Sequence, residues 1–213
     1  MPIDFLVGPR MLAAATAGDT KRLITTLEYI RNIDFRGDQK ETALHKAVGG
    51  GHMDIVELLL QKGASTEATD SYNNTLLHFA AQNGHTSMVE LLLQKGASME
   101  AKEWNSNTPL HLAAENGHTS MVELLLEKGA LIEARQCFSR TPLHCAAWSG
   151  HTSTVELLLM KGALIHTRDV FSNTPLDEAV RMGHTDMVKL LKKEAAKPAV
   201  HGNLAQHMVH TLP

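Results

Sequence analysis

A four-residue signature returns every 33 residues along this chain, and that period constrains its folding more than any other feature. Thr42-Ala43-Leu44-His45, Thr75-Leu76-Leu77-His78, Thr108-Pro109-Leu110-His111, Thr141-Pro142-Leu143-His144 and Thr174-Pro175-Leu176-Asp177 share one frame. In each frame a Gly-His pair follows, nine and ten positions beyond the Thr: Gly51-His52, Gly84-His85, Gly117-His118, Gly150-His151 and Gly183-His184. Landmarks in register without a gap mean one structural unit copied. A period of this length belongs to stacked units, each in contact with its neighbours only.

Each unit reads as two short helices and a loop. Thr108 offers an N-cap oxygen, and Pro109 suits the first helical position, where a missing N–H removes no bond. A first helix is predicted through Leu110 to Glu115. Gly117 ends it, because positive φ is easiest for glycine. A second helix is predicted from Thr119-Ser120, where Ser120 and Glu123 have the spacing of a capping box, and Met121, Val122 and Leu124 to Leu126 form its apolar surface. Gly129 closes that helix, and Ala130 to Ser139 turn the chain back as an extended loop or hairpin. So small a unit cannot bury its leucines alone and must stack.

These units resemble ankyrin repeats, whose family pattern also has 33 residues and a Thr-Pro-Leu-His-x-Ala signature. The resemblance covers residues 9 to about 197. It implies an all-α ankyrin-repeat solenoid, helix-turn-helix plus hairpin loop, stacked into a curved array. The chain departs from the pattern at Ala43 and Leu76, which replace the signature Pro. It departs again at Lys40, Asn73, Ser106, Ser139 and Ser172, where family repeats usually carry Gly. These changes bear on hairpin-tip geometry and leave the fold untouched.

The frame divides the chain into an N-terminal extension (1–8), a degenerate N-terminal capping repeat (9–41), four repeats (42–74, 75–107, 108–140, 141–173), a C-terminal capping repeat (174–197) and a tail (198–213) read as disordered. The first cap follows from Gly18, Leu23 and Leu27, which fall under Gly51, Val56 and Leu60. In the last, Asp177, Glu178 and Lys192 take the places of His111, Leu112 and Leu126, which predicts a wettable outer face. Six repeats with two caps are expected to make a complete array.

Function is sought where the repeats differ. Asn83 to Leu93 and Asn116 to Leu126 are identical, while the hairpin segments vary. Of nine aromatic residues, four sit at those tips, Tyr72, Trp104, Phe138 and Phe171, and a fifth, Trp148, lies near the end of a first helix. In the ankyrin family the hairpin tips and that edge of the first helix line the concave surface that grips partners. The resemblance therefore implies that Tyr72, Trp104, Asn105, Phe138, Arg140, Trp148 and Phe171 face outward together, as aromatic anchors for a partner protein. The bland alternative is that the rings pack hairpin against hairpin, Phe138 and Phe171 first. A second row, Arg36, Thr69, Lys102, Arg135 and Arg168, is basic at four of five places, so Lys102, Arg135 and Arg168 suit carboxylates on a partner. Against that stands simple charge balance by Glu67, Glu100 and Glu133.

Composition excludes other roles. A net charge of −3 offers no broad attraction to nucleic acid or anionic membrane, and no apolar run approaches the roughly 20 residues that span a bilayer. The start of the chain carries no signal-peptide pattern, and two cysteines outside any Cys-x-x-Cys pair predict a reducing compartment, the cytoplasm or the nucleus. Nine of thirteen histidines sit at the two repeat landmarks, and the resemblance gives those of the tetrad a structural role tying loops. A ladder spreads them along a line, so no metal site is expected. His207 and His210 have ligand-like spacing but supply only two imidazoles, Cys145 suits a buried place, and Cys137 at a tip has no aligned base. No phosphate loop, dinucleotide fingerprint or nucleophile elbow is present.

The sequence thus points to a monomeric, non-enzymatic protein-interaction module, an adaptor or scaffold with no cofactor. An inhibitory regulator of a kinase or transcription factor is the alternative, and an enzyme with an unrecognised site a remote one.

Overall fold

The computed structural model describes residues 4–197 and contains twelve helices and no strand among them. They are α1 (Asp4–Ala17), α2 (Thr20–Leu27), α3 (Ala43–Gly50), α4 (Met53–Gln61), α5 (Leu76–Asn83), α6 (Thr86–Gln94), α7 (Pro109–Glu115), α8 (Thr119–Glu127), α9 (Pro142–Ser149), α10 (Thr152–Met160), α11 (Pro175–Arg181) and α12 (Thr185–Ala195). α1 begins upstream of residue 9 and takes residues 4–8 into the first helix. The tail expected over 198–213 lies outside the described residues.

Local chemistry sets these boundaries. Thr42, Thr75, Thr108, Thr141 and Thr174 cap the odd-numbered helices α3 to α11, each with extended backbone. Their capping boxes are closed by the residue three places on, a histidine in four cases and Asp177 in the last. The box predicted at Ser120 and Glu123 does not form: α8 starts one residue earlier, with His118 at the N-cap and no side-chain cap bond. That imidazole is engaged elsewhere, its Nε2 lying 3.0 Å from the Gln82 carbonyl of the preceding unit.

The odd-numbered helices pack against one another in a row, and the even-numbered helices form a second, looser row behind them. Alanine explains the difference. Ala14, Ala47, Ala80, Ala113, Ala146 and Ala179 are all completely buried, one per first helix, and a methyl group lets helix backbones approach closely. The second row is spaced by larger side chains such as Ile55, Met88, Met121 and Leu158. Tighter packing in front than behind bends the stack toward the first helices. One continuous apolar core, from Met11 to Leu191, runs the length of the array.

The C-terminal unit departs from expectation at one place. Asp177 and Lys192 are exposed, as a wettable cap requires, but Glu178 is completely buried and held by Arg140 and Arg181. Its polarity serves an internal ion-pair network and not the outer face.

Candidate functional site

The hairpins form one continuous edge. Asp70, Glu103, Gln136 and Asp169 each bond backbone to backbone with the residue four places on, and this closes each turn. Their side chains reinforce it: Asp169 Oδ1 accepts from the N–H groups of Phe171 and Asn173, and Glu103 Oε1 from those of Asn105 and Asn107. Burial alone would raise the Asp169 carboxyl, but those N–H groups, the Asn173 amide and the Arg140 guanidinium together hold it below the ordinary carboxylate value. Successive tips are then linked backbone to backbone. Trp104 N–H donates to the Tyr72 carbonyl at 2.9 Å, Cys137 N–H to Asn105 at 2.9 Å, and Val170 N–H to Phe138 at 3.0 Å.

The positions where the family usually has Gly keep that geometry without it. Lys40, Asn73, Ser106, Ser139 and Ser172 all adopt left-handed backbone, with φ between 57° and 65°. The departures from the pattern therefore alter the strain of the turn and not its shape.

On this edge Tyr72, Trp104, Phe138 and Phe171 are 46, 76, 46 and 64% exposed. They also pair across neighbouring hairpins, Tyr72 with Trp104 at 6.2 Å between centroids and Phe138 with Phe171 at 6.1 Å, both tilted by 31°. Outward exposure and hairpin packing thus coexist, because a ring can rest an edge on its neighbour and keep a face in water. Asn105 is exposed beside them.

Trp148 and Arg140 stand differently from the expectation. Trp148 is half-buried, with the guanidinium carbons of Arg140 and Arg181 4.9 and 4.5 Å from its ring centroid. Arg140 is itself half-buried, its Nη2 2.8 Å from Glu178 Oε1 and its Nε 3.6 Å from Asp169 Oδ2. This cluster is internal support for the rim. Sequence reasoning missed Arg181 and Glu178, whose only signal was a charged residue at a core position. The cluster borders a cavity of about 270 Å³ between hairpins and first helices, lined among others by Asn105, Glu115, Phe138 and Trp148.

Neither reading of the basic row describes it fully. Arg36 Nη1 donates to the Thr69 carbonyl at 2.8 Å, Lys102 Nζ to Arg135 at 3.4 Å, and Arg135 Nη1 to Arg168 at 3.2 Å, each 33 residues on. These cations staple one hairpin to the next. Glu100 and Glu133 do not balance them; they accept the backbone N–H groups of Leu131 and Leu164. Among the described residues Lys102, Arg135 and Arg168 make no carboxylate ion pair, and all three are exposed.

The histidines hold the frame. Each tetrad Nδ1 accepts from the backbone N–H of its Thr, and His78, His111 and His144 donate through Nε2 to the carbonyls of Asn107, Arg140 and Asn173, which close the same unit just before the Thr of the next. Burial pushes the Cys145 thiol up to about 12, so it carries no thiolate at neutral pH. Among the described residues no group of three or more His, Cys, Asp or Glu is arranged to hold a metal ion, and no helix is long and apolar enough to cross a membrane.

Comparison with known families agrees with this geometry. The family model for ankyrin repeats in three copies matches residues 11–103 and 99–169, and that for ankyrin repeats in many copies matches 149–191. No individual curated protein matches the chain. Ankyrin repeats are in general protein–protein interaction modules and a non-enzymatic fold. With matches spanning most of its length, the chain belongs to the ankyrin-repeat family.

Proposed function

We propose that this chain is an adaptor or scaffold that grips a partner protein along its hairpin edge and the adjoining first-helix rim, without chemistry of its own. The observation that carries this reading is the row of exposed rings, Tyr72, Trp104, Phe138 and Phe171, fixed in place by tip-to-tip backbone bonds. Large rings whose position is already set lose little entropy on binding, and aromatic side chains dominate interface energies. Lys102, Arg135 and Arg168 add positive charge along an otherwise acidic chain, so the partner surface presents carboxylates beside apolar groups. Two free cysteines, one exposed, fit a reducing compartment such as the cytoplasm or nucleus. The chain acts as a monomer in this reading.

The test is a pull-down from cell extract with the native chain and a Trp104→Ala/Phe171→Ala variant, followed by titration of the captured protein. Loss of at least about 2 kcal/mol, some thirtyfold in affinity, is expected if the rings are anchors. Capture and affinity unchanged in the variant would reject this face.

A further inference from the structure

The cavity behind the hairpin edge owes its shape and charge to residues that break the repeat frame. It opens where the row of rings divides, between the Tyr72–Trp104 pair and the Phe138–Phe171 pair. Cys145, in its lining, stands where the two preceding first helices carry Phe79 and Leu112, and the smaller side chain leaves the hollow. Glu115, at its rim, has Gly49, Gln82, Trp148 and Arg181 as counterparts, none of them acidic.

Polar groups without partners face this space. Asn74 and Asn173 donate their side-chain amides to Asp70 and Asp169, at 2.9 and 3.4 Å. Asn107 holds the same place in its hairpin, but there Glu103 replaces the Asp, and its Oε1 accepts the backbone N–H groups of Asn105 and Asn107 instead. Among the described residues the side chains of Asn105, Asn107 and Glu115 make no hydrogen bond or ion pair within the chain. Nor is the charge balanced. Arg140 and Arg181 are matched by Glu178 and Asp169, which leaves Glu115 as the uncompensated ion of the site.

We infer that the cavity receives one lysine or arginine side chain of the partner protein. Its aliphatic stem lies against Phe138 and Trp148, and its cationic head meets the Glu115 carboxylate and the amide oxygens of Asn105 and Asn107. A volume of about 270 Å³ suits a single long side chain. An acidic side chain would be repelled there, and a neutral one would leave Glu115 unpaired. The inference rests on the hairpin-edge reading and adds a register to it: a partner that offers carboxylates to Lys102, Arg135 and Arg168 and one cation to the cavity can dock in one orientation only.

Selection from a phage-displayed library tests it, with random peptides of about twelve residues, long enough when extended to cross four hairpins. The baits are the native chain, Glu115→Gln, which repeats the residue at 82, Glu115→Lys, Glu127→Gln on a second helix, and Trp104→Ala/Phe171→Ala. Glu115 and Glu127 are both exposed, so these changes leave the fold intact. On the native chain one aligned position is expected to be Lys or Arg. That preference should fall at least about fivefold on Glu115→Gln and vanish on Glu115→Lys, while the apolar positions persist. Glu127→Gln, the same change in net charge, should leave it unaltered, and the ring variant should recover fewer peptides of every kind. Native peptides with no basic position, with Asp or Glu there, or with a basic preference unmoved by Glu115→Gln or lost equally on Glu127→Gln overturn the inference, and the hairpin edge stands if recovery still falls in the ring variant. Recovery unchanged in the ring variant, or no peptide enriched on the native chain, overturns the edge and the inference together.

Discussion

Arg140 Nη2 donates to Glu178 Oε1 at 2.8 Å, joining the hairpin before α9 to helix α11, and the carboxylate that accepts is completely buried. Arg181 reaches the same carboxylate from the exposed side. A buried ion is tolerated while its charge is matched, and removing one partner from a buried pair typically costs 3–5 kcal/mol. Arg140→Ala should therefore destabilise the chain by about 3 kcal/mol, with the C-terminal unit unfolding first. Adding Glu178→Leu removes the stranded charge and should recover at least about 1 kcal/mol. Urea unfolding followed by circular dichroism measures both. A cost for Arg140→Ala below about 0.5 kcal/mol would place the pair with exposed ones instead.

The left-handed turn residues make a second prediction. Ser106 and Ser139 adopt φ of 61° and 57°, a conformation that costs a side-chain-bearing residue roughly 1–2 kcal/mol and costs glycine almost nothing. Glycine loses more freedom on folding, which offsets part of the gain. Ser106→Gly and Ser139→Gly should each stabilise by up to about 1 kcal/mol, and Ser139→Val should destabilise. Thermal unfolding midpoints that rank Val above Gly would refute the strain argument.

The repeat, the helix pairs and the exposed tips were legible in the sequence because period, capping residues and glycine placement are local signals. The capping partner was not. Ser120 and Glu123 have the right spacing, but the box forms at Thr108 and His111, where the imidazole accepts the N-cap N–H. Glu178 read as a wet cap residue because its partner Arg140 lies 38 residues away, and no local pattern connects them. The role of Arg36, Lys102 and Arg135 was hidden for a related reason. Their acceptors are backbone carbonyls, which every residue has and no residue letter reveals.

Acid should loosen the array through the tetrad histidines. Burial lowers the pKa of His45, His78, His111 and His144, that of His111 to about 4 from an ordinary 6.5. Between those values the unfolded chain binds protons that the folded chain refuses, so stability is full above about 6.5 and falls as pH drops toward 4. His111 alone contributes about 3 kcal/mol over that window. Asp177, at the same place in the last unit, has its carboxyl lowered by the Thr174 hydroxyl, and its contribution is lost only at still lower pH. Urea midpoints between pH 7.5 and 4 should decline, and a flat profile would contradict the neutral state of these buried rings.

Gly117 and Gly129 separate backbone strain from close packing. Both have positive φ, 71° and 99°, so alanine is strained at either. At Gly129 an added Cβ meets nothing within 4 Å, whereas at Gly117 it would lie 2.4 Å from Nδ1 of His151. That ring cannot simply swing away, because its Nε2 is bonded at 2.9 Å to the Glu115 carbonyl, tying one unit to the unit before it. Gly129→Ala should cost only the conformational strain, about 1–2 kcal/mol. Gly117→Ala should cost that plus the displaced contact, about 1–2 kcal/mol more by analogy with overpacking in a core. The same change should shift the His151 ring resonances in nuclear magnetic resonance spectra, while Gly129→Ala leaves them in place. Equal costs for the two substitutions would mean that the inter-repeat histidine contact contributes nothing to the stack.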